Sequence, residues 1–62
     1  MEFQRGQRVQ FTYGSDEVRD VVIEEIVQGD LVGKDKVREN RYRRFKVGQI
    51  QNARVVEVPA FA

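Results

Sequence analysis

The chain has 62 residues, 34% of them charged and 40% hydrophobic, a formal net charge of +1, and no Cys, His or Trp. A chain this short holds one domain with a thin core, because folding buries only about 60% of the surface its unfolded form exposes. The missing Cys removes disulfides and thiolate metal sites, the missing His removes the commonest general base and metal ligand, and no apolar run approaches the ~20 residues that span a bilayer.

The start, Met1-Glu2-Phe3-Gln4-Arg5, is too polar for a signal peptide, and the lack of Cys gives no sign of an oxidising compartment, so the expected location is cytoplasmic. Arg8-Val9-Gln10-Phe11-Thr12-Tyr13 alternates polar with apolar. That period predicts a strand with Val9, Phe11 and Tyr13 on the core face, closed by turn chemistry at Gly14-Ser15-Asp16. Glu17 to Gln28 fits two patterns: Val18, Val21, Val22 and Ile26 also share one helical face, but Val21, Val22, Ile23, Ile26 and Val27 are all β-branched. A strand is the better fit, with a bulge or strong bend where Asp20, Glu24 and Glu25 break the two-residue period.

Gly29-Asp30 reads as a turn and Leu31-Val32-Gly33 as a short apolar strand that Gly33 weakens or bends. Lys36 to Asn40 is polar enough for a hairpin tip. Arg41-Tyr42-Arg43-Arg44-Phe45-Lys46-Val47 alternates again, with Phe45 and Val47 on the side of Arg41 and Arg43, and Tyr42, Arg44 and Lys46 on the other. Gly48 breaks this strand, Gln49 to Asn52 makes a short connection, and Ala53 to Val58 is a last strand ended by Pro59, which has no N–H for a ladder. Five short strands joined by tight turns predict an all-β fold, a small five-stranded SH3/Sm-like barrel over residues 1–62, with 1–5 and 59–62 as terminal tails.

Charge is unevenly spread along this pattern. Lys34, Lys36, Arg38, Arg41, Arg43, Arg44 and Lys46 stand against Asp35 and Glu39 alone, a local +5, and the rest of the chain sums to −4. Guanidinium groups take phosphate oxygens in pairs and stack on bases, and Tyr42 adds a stacking face beside them, so nucleic acid or a nucleotide is the ligand class the stretch suits. The competing reading is a solubilising edge whose cations block strand-to-strand aggregation and pair with acids elsewhere.

Catalysis has little to work with. Thr12 and Ser15 are the only aliphatic hydroxyls, nothing present activates either, and Glu24-Glu25, an adjacent carboxylate pair, splits to opposite faces of a regular strand. Gly29 and Gly33 lack the Lys-Ser or Lys-Thr of a phosphate-cradling loop. The expectation is a noncatalytic protein without cofactor or metal.

Four segments taken in order, Gly6 to Tyr13, Val18-Arg19, Leu31 to Asp35 and Arg43 to Ile50, resemble the WYL domain of bacterial transcriptional regulators. The resemblance implies an Sm- or SH3-like barrel that senses a nucleotide or nucleic acid through a basic, aromatic-lined pocket. In the family's later motif, Arg-Thr-Phe-Arg, Arg43 and Phe45 match and Lys46 keeps the charge, whereas Gln49 replaces a final Arg before Ile50. The signature Trp-Tyr-Leu falls on Gly29-Asp30-Leu31, so Asp30 stands where the ligand-facing Tyr would be. These residues hold no helix-turn-helix, and if they are the whole protein, the expected form is a detached sensor, an oligomerising module, or a small phage-like or accessory protein that binds another chain. The binding residues expected on both grounds are Arg41, Tyr42, Arg43, Arg44 and Lys46, aided by Lys34, Lys36 and Arg38. The alternative is a protein-interaction or oligomerisation module whose barrel edge pairs with a partner protein or a second copy.

Overall fold

A computed structural model describes residues 3–14, 17–37 and 41–58, and the expected turn at Ser15-Asp16, the site candidate Arg38 and the strand-ending Pro59 lie outside them. Five strands follow in chain order: β1 (Arg8–Tyr13), β2 (Glu17–Val27), β3 (Asp30–Asp35), β4 (Arg41–Lys46) and β5 (Ile50–Glu57), with one 3₁₀ turn, Val47–Gln49, before the last. All pair antiparallel in one sheet of order β4-β3-β2-β1-β5. The fold is all-β, as the alternation predicts, and β2 is the strand its β-branched run favours.

The turns explain the tight connections. Gln28 (φ 47°) and Gly29 (φ 82°) are both left-handed and form the two-residue loop between the paired Val27 and Asp30, the geometry whose twist matches that of the flanking strands. Asp30 is therefore the first residue of β3 and not part of the turn. β3 also runs on to Asp35, twice the length its apolar residues suggest, so Lys34 is an ordered strand residue. Gly33 serves close packing. A Cβ there would stand 2.5 Å from both Val21 Cγ1 and the Val22 carbonyl oxygen, so only glycine lets β3 approach β2 here.

The predicted irregularity in β2 lies where its charged residues interrupt the pattern: the β2–β3 register shifts between Ile23 and Glu25. Glu24 and Glu25 are consequently both exposed. β5 begins earlier than expected, at Ile50, because a shift between Gln10 and Thr12 and a left-handed Asn52 (φ 54°) absorb the residues that look like a connection.

One face of the curled sheet closes over Val9, Phe11, Val21, Ile23, Leu31 and Phe45. Phe11 meets Phe45 edge-to-face at 5.3 Å, and Tyr13 meets the same ring at 5.0 Å. β1 and β4 are separated by two strands in the sheet order, so these contacts require the sheet to roll into a small barrel, partly open between β4 and β5. Tyr13, expected in the core, is half-buried beside it, and its phenolic oxygen accepts a hydrogen bond from the Lys46 backbone N–H at 3.0 Å.

Candidate nucleic-acid interface

β3 and β4 form a hairpin whose register sorts the basic residues onto two faces. Cα partners run Asp30 with Lys46, Leu31 with Phe45, Val32 with Arg44, Gly33 with Arg43, Lys34 with Tyr42 and Asp35 with Arg41. Directly paired residues share a face, and successive residues alternate. Leu31, Gly33, Asp35 and Phe45 are buried on the inner side, so Lys34, Tyr42, Arg44 and Lys46 stand together on the outer side with Asp30 and Val32.

This outer group is the candidate site. Tyr42 is 62% exposed and packs on no other ring among the described residues, leaving its face open. Lys34 lies directly across from it, with Cβ atoms about 5 Å apart in such a pair. Neither Lys34 nor Lys46 makes an ion pair among the described residues. Arg44 does: its Nε donates to Asp30 Oδ2 at 2.6 Å, on the same face.

Arg41 and Arg43 go elsewhere. They belong to the inner register, and Arg43 Nε is 4.0 Å from the Asp35 carboxylate. Asp35 is fully buried and accepts hydrogen bonds from Arg19 Nη1 at 3.1 Å and from the Val37 backbone N–H at 3.0 Å. Arg19 also pairs with Glu17 at 2.8 Å, and its guanidinium carbon lies 5.8 Å from the Phe45 ring centre. Its Nε is buried without a hydrogen-bond partner among the described residues. Two of the predicted ligand contacts thus face a charge cluster that holds the hairpin to β2. Lys36, in the turn after β3, bonds through its backbone N–H to the Asp20 carbonyl at 2.7 Å, and its charge acts on the Asp20 carboxylate.

The outer face continues across the sheet with residues that the local charge count passes over. Arg8 donates to Asp20 Oδ1 and Oδ2 at 2.8 and 2.7 Å and to Glu57 Oε1 at 2.8 Å. The Arg8 guanidinium holds the Asp20 carboxyl below the usual carboxylate range against the opposing effect of burial, and the Gln10 amide assists. Arg54 lies on the Gln10 amide oxygen at 2.8 Å. Alternation in β1 makes Arg8 an outward residue in the sequence, but its partners come from β2 and β5 and require the register.

Thr12 Oγ1 donates to the Gln51 carbonyl at 3.1 Å and accepts from Asn52 at 3.3 Å, so the hydroxyl ties β1 to β5. Among the described residues no cluster of His, Cys, Asp or Glu is suited to a metal ion, and no helix is long and apolar enough to cross a membrane. An open groove lies apart from the basic face, between Phe3-Gln4-Arg5 and Glu24-Glu25-Ile26. Comparison with protein-family models, with curated proteins and with solved structures returns no match.

Proposed function

We propose that this protein is a noncatalytic binding module for an anionic ligand, nucleic acid or a nucleotide, held on the outer face of the β3–β4 hairpin. The observation that carries this reading is the grouping of an open aromatic face, Tyr42, with the cations Lys34 and Lys46, which make no ion pair among the described residues. An aromatic ring offers a base something to stack on, and flanking cations take the phosphates; both contacts are indifferent to sequence. The resemblance to WYL domains supports the same ligand class and a role in transcriptional regulation.

The charge pairing sets a quantitative expectation. Each phosphate contact on single-stranded nucleic acid adds about −0.7 to the slope of log affinity against log salt. Two contacts from Lys34 and Lys46 give a slope of about −1.4, whereas seven cations acting together would give about −5. A titration of a short fluorescein-labelled oligothymidylate at several salt concentrations measures it. Reversing Lys34 and Lys46 to Glu should weaken binding by about tenfold or more at low salt, and reversing Lys36 should do much less. Absence of any binding at low salt overturns the reading.

The second reading, assembly through a sheet edge, is favoured by one observation: β4 and β5 are both outermost strands, and β5 carries the exposed Val56 and runs into the exposed Val58. β4, with four cations in six residues, resists pairing with a copy of itself. Sedimentation at rising protein concentration distinguishes the two, since edge pairing gives a dimer that high salt does not dissolve.

A further inference from the structure

Asp30 sits among the cations of the candidate site. It is the direct cross-strand partner of Lys46, and its carboxylate accepts from Arg44 at 2.6 Å, so one internal anion occupies the space between two of the site's positive groups. The Asp30 side chain is 25% exposed and that of Arg44 is 59% exposed, and neither has another polar partner among the described residues. A carboxylate on a guanidinium engages the same N–H donors with anionic acceptor oxygens that a phosphate would. Asp30 is therefore placed to act as a stand-in for ligand.

We propose that Asp30 is a built-in competitor that makes the site selective for polyanions over single phosphate groups. The inference rests on the ligand reading given above and adds how that ligand is chosen. A lone phosphate reaching Arg44 must displace Asp30, exchanging one exposed ion pair for another, and exposed ion pairs differ little in free energy. A chain of phosphates engages Lys34 and Lys46 at the same time and gains contacts that Asp30 never made. The exchange at Arg44 also releases no extra counterions, because Asp30 already neutralises it. Arg44 is thus charged and exposed, yet silent in the salt dependence of the wild-type protein.

The test compares Asp30→Asn with the wild type, using the labelled oligothymidylate and inorganic phosphate as probes. Asparagine keeps the side-chain shape and removes the competing charge. The variant should bind oligothymidylate roughly two- to fivefold more tightly, the value of one exposed ion pair. Its salt slope should steepen by about 0.7, one additional phosphate contact. Its preference for oligothymidylate over inorganic phosphate should narrow. Arg44→Gln supplies the internal control: it should erase both the affinity gain and the added slope in the Asp30→Asn background. If the wild type binds oligothymidylate and Asp30→Asn changes neither affinity nor slope, the competitor role is overturned while the ligand reading stands. If neither protein binds either probe at low salt, both fall together.

Discussion

Asp20 and Asp35 are the acidic side chains that this small fold takes largely out of water, and arginines hold both. A buried carboxylate is costly unless it is paired, and removing one partner leaves the other exposed to that cost, typically 3–5 kcal/mol. A chain of 62 residues has only about 3–9 kcal/mol of total stability at the usual value per residue. Asp35→Asn, which removes the counter-charge that Arg19 and Arg43 face, should therefore lower the melting temperature sharply, as circular dichroism melting would show. Asp20 permits a pH test. Its folded value is depressed, so its stabilising contribution is fully present above the unfolded value near 3.9 and is lost as pH falls through the lower folded value. Asp20→Asn should be less stable than the wild type at pH 7, and the gap between the two should close below about pH 4. A gap that stays constant on acidification contradicts the pairing.

At the scale of elements, two backbone positions carry predictions, one in a turn and one inside a strand. Gln28 occupies a left-handed position at the first site of a tight hairpin loop, where asparagine is favoured. Gln28→Asn should raise stability by about 0.5–1 kcal/mol, read as a higher melting temperature. Gly33→Ala should do the reverse, by about 1–3 kcal/mol, because its methyl group meets the Val22 carbonyl and backbone cannot step aside as a side chain can. The strands themselves were legible in the sequence wherever apolar residues alternate, as in Arg8 to Tyr13 and Arg41 to Lys46, because the two-residue period is a direct consequence of the pleat. The extension of β3 through Lys34 and Asp35 was not. Charged residues there look like a turn until a buried partner is known, and the partner of Asp35 is Arg19, sixteen residues away. The same limit governed the site: alternation put Tyr42, Arg44 and Lys46 on one face, but pairing with β3 was needed to add Lys34 and to turn Arg43 toward Asp35.

Across the whole molecule, the +5 stretch and the −4 remainder do not form two opposed poles. The sheet interleaves them, with Asp30 on Arg44, Asp35 between Arg19 and Arg43, and Asp20 and Glu57 on Arg8. Much of the apparent basic excess is consumed in holding strands together, and what remains for the proposed ligand is a small surface centred on Tyr42. The proposed interface should bind modestly, depend on few phosphates and tolerate many sequences. Backbone amide chemical-shift mapping during titration with oligothymidylate tests that claim most directly. Perturbations concentrated at Asp30, Lys34, Tyr42, Arg44 and Lys46, fading toward β5, are the result this account predicts. Perturbations centred on Arg5, Glu24 and Ile26, or spread evenly along the β5 edge, would contradict it.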